Sequence, residues 1–231
     1  MTFHRLVPDE VKFMKFPKAR YTGSIKIFEK MMDYLYNNGF KTISTEEFYK
    51  WYKSKIEFYG KTVMITIDDG KYEDYYLAYP IIKKYNFKAT SFIVGSRIHN
   101  KTKKYNKTEL NFIGLDIVNK IKKEYPNYEF QSHSYNMHTK INRKSKIFLM
   151  NEKEIQEDIE NNKKFNFTCM AYPFGYYNKI IKNLLYKNNY SLAFAFGKNK
   201  FASRADDQFS IPRINIHGGC DLDSLKKWLI Y

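Results

Sequence analysis

Apolar residues recur along this chain at two spacings, in short runs of strand length and at helical intervals over longer stretches, and the two patterns alternate. The run Val63-Met64-Ile65-Thr66-Ile67 has the composition of a buried strand, and Asp68-Asp69-Gly70 marks where it leaves the core and turns. Further strands are predicted over 3–7, 40–43, 88–94, 128–131, 168–172, 190–196 and 209–217. Between them, Ser24 caps a helix carrying Ile25, Phe28, Met31, Met32, Leu35 and Tyr36 that Asn38-Gly39 stops. Ser44 and Glu47 form a capping box for a second helix running through Trp51. A third helix spans about 73–85, with a kink expected at Pro80. Thr108 caps one bearing Leu110, Ile113, Leu115, Ile117, Val118 and Ile121, and others are centred on Ile155 and Ile159, begin at Asn178, and run from Asp223 to Ile230. Residues 139–150 read as a basic connector.

Seven or so strands separated by helices, with polar residues placed after strands, is the pattern of a barrel whose site lies at the C-terminal ends of its strands. A doubly wound open sheet would give much the same string, and both remain open at this point. The length of 231 residues suits a single domain over 1–231.

Charge changes the picture more than size does. Forty Lys and Arg against 24 Asp and Glu give a formal net charge of +16, which favours approach to anionic partners such as acidic glycans and the phosphates of an envelope surface. The one dense cluster, Lys101 to Lys107, reads as a solvated loop, and with no recognition motif a nucleic-acid partner is not expected. Cys169 and Cys220 have neither metal spacing nor the density of a disulfide scaffold. No apolar run is long enough to span a bilayer, and Met1-Thr2-Phe3-His4-Arg5 does not begin a signal peptide, which leaves localisation open.

The chemistry starts from a cost. Two carboxylates at the end of a core strand need a partner, whether a cation, hydrogen-bond donors or a metal. His133 and His138 follow another strand, and a spacing of five separates two rings by about 140° around a helix, so these can converge only from a loop or tight turn. With Asp69 they make a two-His, one-carboxylate set that leaves coordination positions open for water and substrate, as a catalytic metal requires. Asp68 is then free to accept a proton from that water. Non-haem iron oxygenases use a similar set, but on an all-β scaffold that this alternating chain does not match.

Thr66-Ile67-Asp68-Asp69-Gly70, the stretch from His133 to His138, and Ala171-Tyr172-Pro173-Phe174-Gly175 come in an order and at strand ends that resemble the first three motifs of the polysaccharide deacetylases with the NodB homology fold, carbohydrate esterase family 4. The resemblance implies an α/β fold, a distorted (β/α) barrel of about seven strands with its site at their C-terminal ends. It further implies hydrolysis of acetyl groups, most naturally N-acetyl, on a polysaccharide substrate such as poly-N-acetylglucosamine or another cell-envelope glycan. Carried over residue by residue, Asp68 is the general base, Asp69, His133 and His138 hold a divalent metal, usually Zn2+, and the backbone near Phe174 helps hold the oxyanion. Tyr172, Phe174 and Tyr176 offer a candidate sugar-binding face.

The chain also departs from the pattern. The third motif usually carries an Arg that pairs with the catalytic Asp, and here that position is Ala171, so Arg213 is the candidate for the missing cation. No clear fourth motif is found. The opening Thr2-Phe3-His4-Arg5-Leu6-Val7-Pro8 resembles the circularly rearranged subgroup that includes poly-N-acetylglucosamine deacetylases, which favours His4 as the general acid over His217, the residue closer to the usual fifth motif. A non-catalytic glycan-binding protein on the same fold is the alternative, and retention of both Asp68 and an acid argues against it. The sequence leaves the glycan itself and the oligomeric state undetermined.

Overall fold

The computed structural model describes residues 1–103, 111–197 and 200–229. Six strands lie side by side in strict chain order, all pairs parallel: β1 (Thr2–Phe3), β2 (Ile65–Asp69), β3 (Ala89–Ile93), β4 (Tyr128–Ser132), β5 (Cys169–Ala171) and β6 (Leu192–Phe194). The two edges of this sheet are joined by the extended segment 211–216. Ile211 bridges Phe194 on one side and Asn215 bridges Thr2 on the other, with Thr2 N–H donating to Ile214 O at 2.8 Å and Ile216 N–H to Thr2 O at 3.0 Å. A sequential order that closes on itself is a barrel, and it excludes the doubly wound sheet, whose strand order reverses at a switch point.

Strand alternation sorts side chains into two cores. Ile65 and Ile67 of β2 face outward and pack with the helices, which after the short α1 (Asp9–Lys15) include α2 (Ile25–Asn37), α5 (Leu115–Glu124), α6 (Glu152–Asn161), α7 (Lys179–Lys187) and α8 (Leu222–Leu229). Phe92, Cys169, Ala171, Leu192, Phe194 and Ile211 fill the barrel interior, where Ile43 and Phe48, just before and within α3 (Thr45–Tyr52), join them. Thr66 and Asp68 are the alternate residues of β2, buried on the interior side with Asp68 at its C-terminal end.

Local signals account for the helix starts. Ser24 accepts from Ile27 N–H, Asn178 accepts from Ile181 N–H, and Ser44 and Glu47 exchange both bonds of a capping box. Asn151 and Glu154 form a second capping box that sequence reading had not singled out.

Several boundaries differ from expectation. The stretch after Gly70 is a π-turn over Asp74–Ala78 leading into α4 (Tyr79–Lys84), with Pro80 in the first turn of α4, where its missing N–H costs little. The connector 139–150 contains a small antiparallel ladder, Lys140–Ile141 with Lys144–Ser145. The first strand breaks at His4, so that Arg5–Val7 pairs separately with Thr22–Ser24. Gly114 stands at the start of α5, while the cap expected at Thr108 and most of the Lys101–Lys107 cluster lie outside the described residues. No helix among the described residues is long and apolar enough to cross a membrane.

The capping box gives a direct check. Ser44→Ala removes the acceptor for Glu47 N–H and should cost about 1 kcal/mol, read as a lower urea midpoint with an unchanged slope; an unchanged midpoint would assign the start of α3 to packing alone.

Candidate active site

The geometry begins where β2 ends. Asp69 has φ 87° and Gly70 φ 66°, so the chain turns through two successive left-handed residues. Only glycine suits the second, since a Cβ there would lie 2.5 Å from Ile93 Cγ2. This turn leaves Asp68 pointing into the barrel and Asp69 across its rim, both almost fully buried.

Asp68 meets Arg213 from the segment that closes the barrel. The contact is bidentate, Nη1 to Oδ1 at 2.8 Å and Nη2 to Oδ2 at 2.7 Å, and Arg213 also donates to Thr66 Oγ1 and Ala195 O. Burial alone would raise the Asp68 pKa; the Arg213 charge reverses this and holds the carboxyl below its ordinary range. Thus the cation lacking at Ala171 is present in space, delivered from a different strand.

Asp69 meets the two histidines. His138 Nε2 is 3.1 Å and His133 Nε2 3.5 Å from Asp69 Oδ1. One ligand atom from each of the three residues lies within 4.8 Å of the others. His133 Nδ1 is 2.8 Å from Ala171 O, which can only accept, so Nδ1 carries the proton and Nε2 presents a lone pair toward Asp69. Asp69 Oδ1 accepts no hydrogen bond of ordinary geometry despite its burial. A buried carboxylate oxygen without a donor, facing an imidazole lone pair, is the arrangement a divalent cation would satisfy, and the donor set fits one. Burial would raise the Asp69 pKa, but its neighbours, the Lys71 ammonium on Oδ2 among them, hold it well below the ordinary range. Burial lowers the pKa of His138, favouring the neutral form that ligates.

The loop that returns His138 to His133 is itself fixed. Ser134 is left-handed at φ 65°, Met137 is fully buried, and both carboxylate oxygens of Asp158 from α6 accept from the loop, from Tyr135 N–H and Asn136 N–H at 2.7 Å each. Arg97 donates to His138 O at 3.0 Å. Neither Asp158 nor Arg97 is marked by any local motif, and both act through backbone groups far away in sequence.

Other residues divide. His4 sits at the break after β1 under the charge of Asp68 and Asp69, with its ring in a three-ring cluster with Tyr21 and Phe196 and its Nδ1 buried without a partner. Burial pushes its pKa down to about 4, so the resting imidazole is neutral at physiological pH. His217 lies on an exposed loop, where its Nδ1 accepts from Gly219 N–H. Phe174 stacks 4.5 Å from the His138 ring on a left-handed turn with φ 57°. Gly175 and Tyr176 N–H donate within that turn.

Tyr172 is a correction. Its side chain is 1% exposed, it stacks on Tyr177, its hydroxyl donates to Phe209 O, and its N–H donates to Phe194 O, so it packs the core and offers neither a sugar face nor an oxyanion donor. The exposed aromatic beside Tyr176 is instead Phe148, with ring centroids 5.2 Å apart, from the stretch read only as a connector.

With this geometry in view, the sequence profile of the family described as Polysaccharide deacetylase matches residues 55–193. A poly-beta-1,6-N-acetyl-D-glucosamine N-deacetylase of Staphylococcus aureus (strain MRSA252) is 30% identical over 220 residues, covering 90% of this chain and 72% of that protein. The Staphylococcus epidermidis protein of the same name is 26% identical with the same coverage. Among solved structures, the Streptococcus pyogenes deacetylase PplD in complex with acetate superposes with a TM-score of 0.82 at 21% identity, covering 100% of this chain and 97% of that one. IcaB from Ammonifex degensii gives 0.78 at 20% identity, covering 99% and 94%. At these identities the two structures speak for the fold.

The Arg213 pair can be tested without any substrate. Arg213→Met leaves Asp68 buried and unpaired and should cost roughly 3–5 kcal/mol near neutral pH, measured by denaturant unfolding. Because the folded pKa of Asp68 is depressed, the stability that the pair contributes is present above the unfolded value of about 3.9 and is lost as pH falls through the folded one. The gap between wild type and variant should therefore narrow in acid; a gap independent of pH would assign the loss to packing.

Proposed function

The chain belongs to the polysaccharide deacetylase family and is a polysaccharide deacetylase, and from that premise we propose that it is a metal-dependent N-deacetylase of a poly-N-acetylglucosamine-type glycan, with residues 1–231 as one catalytic domain. The observation that carries the metal and its chemistry is the convergence of Asp69 Oδ1 and the Nε2 atoms of His133 and His138 beside a second, Arg-paired carboxylate. The names of the staphylococcal relatives support the glycan. A divalent ion held by those three atoms, zinc in our reading, would polarise the acetyl carbonyl and ease deprotonation of water.

The protein supplies the rest. Asp68 takes the proton of the attacking water, and Arg213 keeps it ionised and aimed while blocking rotation of the carboxylate. Its two oxygens each accept one Arg213 bond and retain a second lone pair for the water. The N–H of Phe174 is our candidate oxyanion donor, since those of Gly175 and Tyr176 are used within the turn. The leaving amine needs a proton, and we assign it to His4 rather than His217: His4 feels both carboxylates, whereas His217 caps a surface loop. Phe174, Tyr176 and Phe148 form the rim on which a sugar ring could stack. The net charge of +16 suits work at an anionic envelope surface.

Acetate release from poly-N-acetylglucosamine, compared with chitin oligomers, peptidoglycan and acetylxylan with and without zinc and chelator, tests the reading. Activity on the first that chelator abolishes and zinc restores is the expected result; full turnover by metal-free protein would overturn it. Asp68→Asn should retain metal while turnover falls roughly 10²–10⁴-fold, whereas His133→Ala should lose the metal, checked by elemental analysis. If Asp68→Asn loses metal, the two carboxylates have been assigned the wrong way round.

The acid has its own test. His4→Ala should retain metal and lose most turnover, and His217→Ala should stay close to wild type in the same acetate assay; the reverse pattern would transfer the role to His217.

A further inference from the structure

Asp69 turns its two carboxylate oxygens to different partners. Oδ1 faces the histidines, while Oδ2 lies 2.5 Å from the ammonium of Lys71. Lys71 is not a loose surface lysine, for its side chain is only 13% exposed. Its backbone N–H donates to Asp74 Oδ2 at 2.9 Å, and the residue forms a bridge with Phe112. On either side, Ile113 N–H donates to Gly70 O and Tyr72 N–H to Asn111 O. These backbone bonds on both sides of residue 71 hold the root of the Lys71 side chain beside Asp69.

A free carboxylate can grip a cation through one oxygen or both. An ammonium seated on Oδ2 occupies that oxygen and repels a second cation from it. We propose that Lys71 is a positioning residue that confines Asp69 to ligation through Oδ1 alone. This inference rests on the reading of Asp69, His133 and His138 as the metal ligands. Two consequences follow from the charge and the geometry. The ion has fewer protein oxygens around it, which leaves positions open for water and the acetyl carbonyl, and it is less neutralised by its ligands, so it remains a stronger Lewis acid. The cost is affinity, because two cations share one carboxylate.

Metal binding by the intact chain reads this out independently of turnover. Protein stripped by chelator and dialysed is titrated with Zn2+ against a chromophoric chelator, and separately with Co2+ followed by visible absorption. Lys71→Met and Lys71→Gln should bind Zn2+ about 10-fold tighter than wild type, on the scale of outer-shell effects, and their Co2+ bands should weaken as the second oxygen raises the coordination number. Lys71→Arg, which keeps the charge, should resemble wild type in both. Equal or weaker zinc affinity in both neutral variants, or a cobalt spectrum that does not change, would overturn the inference. Wild-type protein that takes up neither ion would overturn the metal reading beneath it, and this one with it.

Discussion

Two adjacent carboxylates buried at the end of one core strand set the terms for the rest of the structure. Either one, ionised and alone, would cost several kcal/mol. Strand alternation and the turn at Asp69 and Gly70 send Asp68 inward and Asp69 across the rim, so their closest partners differ. Each therefore has its own cationic or metal-binding counterpart: Arg213 for Asp68, and the His133–His138 pair with Lys71 for Asp69. Separation of the partners separates the roles, since the carboxylate locked to a guanidinium is held ionised and still, while the other keeps one oxygen without a donor.

That separation explains why the barrel must close. Arg213 belongs to the segment 211–216, which has no continuous ladder and is held by bridges to Phe194 on one side and Thr2 on the other. Its place between β6 and β1 turns a six-stranded sheet into a barrel and delivers the guanidinium to the interior in the same step. Closure and electrostatics are therefore coupled: a barrel open at this seam would leave Asp68 without its cation, and a neutral residue at 213 would leave the seam with an unpaired buried charge beneath it.

Much of this could be read from the sequence because the motifs are local. Val63 to Gly70 shows its strand and turn by composition, Ser24, Ser44 and Asn178 sit where their helices start, and His133 and His138 belong to one short loop. What was not legible depends on contacts between distant segments. Asp158 and Arg97 hold the His138 loop through its backbone, and backbone partners leave no pattern in a side-chain sequence. Tyr172 departs from its sequence expectation for a related reason: a tyrosine beside Pro173 looks like a rim residue, yet strand alternation at β5 turns it into the core, where Phe209 O takes its hydroxyl. The segment 209–217 has the composition of an ordinary strand, although isolated bridges take the place of a ladder, because its apolar residues record burial and not hydrogen bonding.

His4 shows the limit of arguing from a residue type. An unperturbed imidazole titrates near neutrality, which makes histidine the natural acid on paper. Here the break between β1 and the Arg5–Val7 strand seats the ring against both Tyr21 and Phe196, and burial outweighs the attraction of both carboxylates. The resting ring is neutral, so in the acid role we propose it would have to receive a proton within the reaction, and the proton that Asp68 takes from the water is the one available. A group with a depressed pKa holds its proton weakly and passes it readily to an amine. The same burial that removes the charge at rest would then favour release of that proton to the amine in the proposed reaction.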